Sequence, residues 1–299
     1  MATPTDLITP TFLRKLDTNR PLAGLTTFRI GGPADGFITC ESIDDVRAAA
    51  AYAKAEGKPL SVIGGGSNLL IADEGVRGVV VDISKMKSIH HFGTRVIAEG
   101  GAKLTSVIGY SARKGLQGIE GIAGIPGTVG GAVAMNAGGR YGEIGDAVES
   151  VEVITPDGEL LRLSHRELRF GYRTSHLRKG IVVTVFLQLE EGESRFLTAR
   201  AAEIAQAKVA AQPYTQFSAG CIFRNPEGSA HGAGKLVDMA GLKGECIGDA
   251  MISDRHANFI VNRGDARASD VVSLIERAKS RVKETFGIAL ETEVKRWAA

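Results

Sequence analysis

Arg173, Cys221 and Glu293 are the residues whose types and settings best suit chemistry. Arg173 stands in FGYRTS, between Tyr172 and Ser175. A guanidinium is permanently charged and grips a flat oxyanion through paired donors; a plain surface arginine fits the local sequence as well. Cys221 lies in FSAGCIFRNP, where Gly220 allows close approach and Arg224 and Asn225 offer polar contacts. An ordinary thiol, with a pKa of about 8.5, is mostly un-ionised at neutral pH and can donate a proton. A packed structural cysteine is the competing reading. Glu291 and Glu293 alternate on an expected last strand at 290–294, which would put both on one face with Thr292 opposite; a solvated strand edge accounts for them too. Of the other cysteines, Cys40 follows the strand-like FIT and reads as a quiet buried thiol, whereas Cys246, in KGECIGDAMIS, is ambiguous.

Other chemistries are poorly supported. The six histidines form no H-E-x-x-H, and no C-x-x-C occurs, so no metal is expected. There is no G-x-S-x-G elbow for Ser-His-Asp hydrolysis.

The elements that must position such residues are rich in glycine. The chain has 38 glycines in 299 residues but only 9 prolines, against an average glycine content of about 7%. One cluster, PLSVIGGGSNLLI, follows a short buried strand at 60–63. Gly64, Gly65 and Gly66 free the backbone there, Ser67 and Asn68 add short polar groups before Leu69, and successive N–H groups could form an anion nest. A glycine-rich turn between strands is the alternative, and neither named nucleotide fingerprint is present. The second cluster, GLQGIEGIAGIPGTVGG, holds Gly124, Ile125, Pro126, Gly127, Gly130 and Gly131. Its three-residue period is too short and too poor in proline for collagen. It reads as backbone turning against something bulky, or as a tight interior crossing of loops and short helical turns.

Around these clusters, Ser42 and Asp45 introduce a helix ending near Gly57, and a strand follows at 79–82. A strand at 95–99, a helix at 104–114 and a strand at 181–189 belong to a second part. VEVITPDGELLRLS marks a hairpin turning at Asp157-Gly158. A helix at 194–211 reads as a boundary, and one at 268–286 carries an apolar stripe that reads as core packing. Strands dominate the second part, so α+β with mixed or antiparallel sheet is expected. The division expected is 1–85, with the C-terminal strand returning to it, then 86–205 and 206–299.

Composition narrows the setting. A formal charge of +2 with 36 basic and 34 acidic residues argues against a nucleic-acid partner. Three cysteines form no disulfide framework, no apolar run is long enough to span a bilayer, and the first residues lack the order of a secretory signal. A soluble cytoplasmic protein is expected, with no membrane and no obligate protein partner.

Six segments together resemble a known family: TTFRIGGPAD at 26–35, IGGGSNLLI at 63–71, GIEGIAGIPGTVGGAVAMNAG at 118–138, FGYRTS at 170–175, SAGCIFRNP at 218–226 and LETEV at 290–294. In this order over most of the chain they are similar to the UDP-N-acetylenolpyruvoylglucosamine reductase (UDP-N-acetylmuramate dehydrogenase) family, in its shorter class, which lacks an extra substrate-closing loop. The resemblance implies a two-part FAD-binding fold of the vanillyl-alcohol oxidase (PCMH) type followed by a C-terminal α+β substrate-binding domain. It implies bound FAD, NADPH as co-substrate, UDP-N-acetylglucosamine enolpyruvate as substrate, and a place in the bacterial cytoplasm in peptidoglycan precursor synthesis.

By the same resemblance the turn at 64–69 and the residues Gly124, Ile125, Pro126, Gly127, Gly130 and Gly131 would lie against FAD. Tyr172, Arg173, Lys208 and Asn225 would contact the UDP-sugar, and Arg173, Cys221 and Glu293 would be catalytic. Two departures stand out: AKVAAQP around Lys208 is less basic than usual in the family, and Cys221 occupies the place of a proton donor that is usually serine. Another flavin oxidoreductase on the same fold, or a protein that binds flavin or nucleotide-sugar without turnover, are the competing readings.

Overall fold

The structure is a computed structural model that describes residues 3–298. The chain divides into two units: one comprises the residues up to Asn19, Asp35–Gly65 and Gly78–Lys208, and the other Arg20–Ala34, Gly66–Arg77 and the residues from Val209 on. Among the described residues no helix is long and apolar enough to cross a membrane.

In the first unit, Ser42 starts the helix Ile43–Ala55 as its sequence predicts: the Ser42 hydroxyl accepts from Asp45 N at 3.1 Å, and Asp44 and Asp45 occupy the first turn. The alanines of this helix lie flat on a sheet of order Asp17–Pro21, Pro33–Thr39, Val76–Asp82, Leu60–Ile63. The last two of these strands are parallel, with Leu60 opposite Val79. A second, antiparallel sheet has the order Leu160–Ser164, Val148–Ile154, Ile181–Gln188, Arg95–Glu99, Ile89–Phe92. Its first two strands are the expected hairpin, with Gly158 at φ +82° in the turn.

Two cores result. Ile38, Val46, Val81, Ile154 and Val183 join the helix to both sheets, while Val107, Val129, Val151, Val185 and Ile204 fill the other face of the five-stranded sheet. Each such side chain contributes about 1.5–3 kcal/mol on burial.

One helix at the start, Pro10–Lys15, was not foreseen, although Thr9-Pro10 signals it. Thr9 Oγ1 accepts from Phe12 N at 3.1 Å, and proline sits at the first helical position, where its missing N–H costs nothing.

The second unit has an antiparallel sheet of order Phe217–Ser218, Ile260–Asn262, Ala250–Ile252, Cys246–Ile247. The helix Ala268–Phe286 buries Val271, Leu274, Ile275, Ala278 and Val282, which makes its stripe core packing. The Asp73 carboxylate accepts from Ala268 N at 2.7 Å and Ser269 N at 3.1 Å, capping this helix, and Gly287 ends it at φ +70°.

The last strand differs from the expectation. It is Lys295–Trp297, parallel to Leu69–Ile71, and not 290–294. Residues 290–294 form instead an isolated bridge, Phe223 opposite Thr292, flanked by backbone hydrogen bonds from Arg224 N to Glu291 O and from Glu293 N to Ile222 O. Of the two carboxylates expected on that strand, Glu291 is exposed and Glu293 half-buried.

Candidate functional site

In the first unit the two glycine clusters meet. A Cβ on Gly65 would lie 2.8 Å from Gly127 Cα, and one on Gly64 would strike Thr128 Oγ1. The glycine requirement at these positions thus comes from protein backbone packing, and the interior-crossing reading holds on that side. Gly130 likewise has no room for a side chain, since its Cβ position lies 2.9 Å from Gly100 O. Gly131 differs. It is exposed, and its Cβ position has nothing nearer than Thr128 Oγ1 at 3.5 Å. The face at Gly131 can admit a bulky ligand close to the backbone. Ile125 packs against the core of this unit.

Arg173 sits at φ +57°, in the left-handed region that costs a side chain about 1–2 kcal/mol. A two-residue crossing holds it there: Gly171 N donates to Thr174 O, and Thr174 N to Gly171 O, both at 3.1 Å. Asn136, only 2% exposed, braces that crossing. Its Nδ2 donates to Gly171 O at 3.1 Å and Glu143 Oε2 at 2.6 Å, while its Oδ1 accepts from Gly145 N at 3.0 Å. Asn136 lies within the segment 118–138, where neither its type nor its spacing marks this bracing role. The Arg173 guanidinium lies 5.2 Å from the ring centroid of the exposed Tyr172.

Lys208, near the end of the helix Ser194–Ala211, crosses Gly124. A Cβ on Gly124, which has φ +80°, would come within 3.0 Å of Ala205 Cα and 3.2 Å of Lys208 Cδ. The Lys208 ammonium is buried and has no hydrogen-bond partner among the described residues. Burial first, then the charge of Arg173, lowers its pKa to about 8. The unit therefore keeps a buried cation beside a permanently charged guanidinium, an arrangement suited to an anion.

In the second unit four of the six motif segments converge. Thr27 joins the glycine turn to the cysteine loop: its N donates to Gly66 O at 3.1 Å and its Oγ1 to Ser218 O at 2.7 Å. Gly66, at φ +59°, lies too close to Leu25 O and Thr26 Cα for any side chain. Gly220, at φ +75°, places its Cβ position 3.9 Å from Ser67 O. Asn68 Nδ2 donates to Glu293 O at 3.4 Å, Lys295 N donates to Asn68 O at 3.0 Å, and Leu69 continues this ladder opposite Lys295. Glu293 N donates to Ile222 O at 2.7 Å, next in sequence to Cys221. The segments bearing Asn68, Cys221 and Glu293 are thus tied together by backbone hydrogen bonds. Burial first, then the charge of Cys221, raises the Tyr214 phenol.

Asn225 has a structural task that sequence reasoning missed. Its Oδ1 accepts from Ala233 N at 3.0 Å, holding the loop to the start of the helix Ala233–Met239.

The three cysteines differ as expected in part. Cys40 is fully buried, and burial pushes its thiol well above the usual range. Cys246 is exposed, with Arg263 Nη1 at 3.5 Å from its sulfur. Brief iodoacetamide treatment of the folded protein should modify Cys246 and leave Cys40 untouched until denaturant is added, as read by peptide mass spectrometry. Prompt labelling of Cys40 would contradict its burial.

Known proteins place this geometry. The sequence profile of an FAD binding domain matches residues 34–164, and that of the UDP-N-acetylenolpyruvoylglucosamine reductase C-terminal domain matches 212–297. The chain is 40% identical over 301 residues to UDP-N-acetylenolpyruvoylglucosamine reductase from Desulfosudis oleivorans, covering 96% of each chain. To the protein of the same name from Moorella thermoacetica it is 42% identical over 281 residues, covering 94% of this chain and 92% of that one. A crystal structure of UDP-N-acetylenolpyruvylglucosamine reductase from Thermus caldophilus superposes with a TM-score of 0.79 at 42% identity, covering 94% of this chain and 98% of that one. The architecture is an FAD-binding domain of the PCMH type followed by a C-terminal α+β substrate-binding domain. Matched along nearly its whole length by these relatives, the chain belongs to the UDP-N-acetylenolpyruvoylglucosamine reductase family.

Proposed function

We propose that the chain catalyses the NADPH-dependent reduction of UDP-N-acetylglucosamine enolpyruvate to UDP-N-acetylmuramate through bound FAD, in the bacterial cytoplasm, as a step of peptidoglycan precursor synthesis. The observation that carries this reading beyond family likeness is the buried Lys208 ammonium, which has no hydrogen-bond partner among the described residues. A buried cation without a partner is costly unless a ligand supplies the counter-charge, and a UDP-sugar bearing a diphosphate and a carboxylate supplies it. The functional segmentation 1–85, 86–205 and 206–299 belongs to the same proposal.

The residues present fit FAD. Gly64 and Gly65 pack onto Gly127 and Thr128 without side chains between them, and the exposed Gly131 leaves its Cβ side open. Gly64, Gly65, Gly66, Ser67, Asn68 and Leu69, with Gly124, Ile125, Pro126, Gly127, Gly130 and Gly131, would hold it. When bound, FAD would supply the redox chemistry, the two-electron hydride transfer from NADPH to the enolpyruvyl group. The chain's own residues manage the rest. The Arg173 guanidinium pairs with the substrate carboxylate and offsets the negative charge that develops toward C2. The Cys221 thiol gives its proton to C2 and is left as thiolate, which takes a proton back from solvent. Glu293 assists at the same carbon. Tyr172, Lys208 and Asn225 contact the nucleotide-sugar, Asn225 also fixing its own loop through Ala233.

Lys208→Met should separate stability from binding. The lowered pKa means that the folded chain holds the Lys208 proton less tightly than the unfolded chain. The burden of the buried charge is therefore present below about pH 8 and fades as pH rises toward the ordinary lysine value. The variant should melt at a higher temperature than wild type at pH 7, with the advantage shrinking above pH 8. Its KM for the UDP-sugar should rise about tenfold or more, as expected for one lost charge-assisted contact. A variant that is less stable at pH 7 and binds substrate normally would contradict both parts.

The functional reading is tested on the purified protein. It should carry flavin absorbance and consume NADPH only when the enolpyruvyl UDP-sugar is present. A protein free of flavin, or one whose NADPH consumption ignores that sugar, would contradict it.

A further inference from the structure

Asn258 precedes the strand Ile260–Asn262, is 4% exposed, and grips one residue of the cysteine loop with both ends of its side chain. Phe223 N donates to Asn258 Oδ1 at 2.9 Å, and Asn258 Nδ2 donates to Phe223 O at 2.8 Å. Ile222 N donates to the backbone Asn258 O at 2.8 Å. From the other side, Glu293 N donates to Ile222 O at 2.7 Å, and Arg224 N to Glu291 O at 2.9 Å. Every backbone donor and acceptor of Ile222 and Phe223 is therefore engaged. The Asn258 amide does for Phe223 what a neighbouring strand would do, with one donor and one acceptor in register. Asn258 N in turn donates to His256 Nδ1 at 3.3 Å, and burial first of all lowers the His256 pKa, keeping that nitrogen an acceptor.

The two residues assigned to act at C2 both hang on this held segment. Cys221 precedes Ile222 directly, and the backbone N–H of Glu293 is bonded to Ile222 O. We infer that Asn258 is a positioning residue for proton delivery: by holding the backbone of Ile222 and Phe223 it sets the reach of the Cys221 thiol and the register of Glu293. The inference rests on the reaction proposed above and adds a residue that touches neither substrate nor cofactor. Displacing a reacting group by ~1 Å can cost about 100-fold in rate, so a buried clamp two residues from the thiol has leverage on the chemical step. Asn258→Asp keeps the shape but sets a carboxylate oxygen against Phe223 O, acceptor against acceptor. Asn258→Ser withdraws both bonds.

The test uses flavin-loaded protein in anaerobic stopped flow, reading bleaching by NADPH and recolouring by the enolpyruvyl sugar separately. Both variants should bleach within about twofold of wild type and recolour about 10- to 100-fold more slowly. In a Cys221→Ala background the same substitutions should change recolouring much less than in wild type, because the part of their effect that passes through the thiol is gone and only the part through Glu293 is left. The assignment is overturned if both half-reactions slow together, if the full effect persists without Cys221, or if neither variant retains flavin, which would make Asn258 a purely structural support. A wild-type protein that bleaches but is never recoloured by the sugar is a separate outcome. It overturns the proposed reaction, and the role of Asn258 in it, before any variant is made.

Discussion

Cys221→Ala should slow recolouring of the reduced flavin by the enolpyruvyl sugar about 100-fold or more, the usual magnitude for removing a positioned general acid, while bleaching by NADPH stays near wild type. The argument joins sequence and structure. The thiol sits in a loop whose following residues are fully hydrogen-bonded, at Ile222 and Phe223, so alanine should leave the backbone in place and remove only the proton source. Cys221→Ser should keep substantial activity, since a hydroxyl can fill the same role from the same atom position. The two donors should part company with pH. A thiol donates only while protonated, so the wild-type recolouring rate should fall at alkaline pH, where the serine variant holds its rate. Wild-type recolouring by Cys221→Ala would remove the thiol from the mechanism. Exposure to mild oxidant should inactivate wild type and spare Cys221→Ser, because only the thiol enters the sulfenic-acid ladder.

Arg173→Ala should abolish the same half-reaction with little effect on the fold. The guanidinium is the group assigned to the substrate carboxylate, and losing a charge-assisted paired contact that strengthens as negative charge develops should cost about 100-fold or more in the second half-reaction. Arg173→Lys should restore little, because an ammonium lacks the planar fork. Backbone geometry adds a check specific to this chain. Arg173 is held at φ +57°, where glycine is free of strain. Arg173→Gly should therefore melt at or above the wild-type temperature while recolouring as poorly as Arg173→Ala. A cold-sensitive or flavin-free Arg173→Gly protein would show that the side chain supports the fold. Normal recolouring by either variant would take Arg173 out of the chemistry.

Local patterns were the legible part of the fold. The alanine-rich helix Ile43–Ala55, the Asp157-Gly158 hairpin and the amphipathic helix Ala268–Phe286 each carry their own capping, turn or periodic signal, and each forms where that signal lies. The final strand was misplaced because its pairing is not local. Residues 290–294 have the alternation of a strand, but Ile222–Arg224 meets them at isolated points, and the regular parallel ladder forms one step later, between Lys295–Trp297 and Leu69–Ile71. The glycine clusters were legible as crowded backbone, yet the crowding at Gly64, Gly65 and Gly66 comes from the chain itself.

Within the site, residues with distinctive chemistry could be picked out by type and motif. Those that hold them could not. Asn136 braces the Arg173 turn and Asn258 braces the Cys221 loop through side-chain bonds to backbone 35 residues away in each case. Such clamps have no sequence period, and an isolated asparagine reads as a turn residue. Asn225 shows the converse: chosen for a ligand contact, it also spends its carbonyl on Ala233 N.

The most direct test of the central claim is a single anaerobic stopped-flow experiment on the wild-type flavin-loaded protein. One equivalent of NADPH should bleach the flavin, and the enolpyruvyl UDP-sugar, added after NADP is removed, should restore the colour and yield UDP-N-acetylmuramate in equal amount. Bleaching without recolouring, or recolouring that yields no UDP-N-acetylmuramate, would contradict the account.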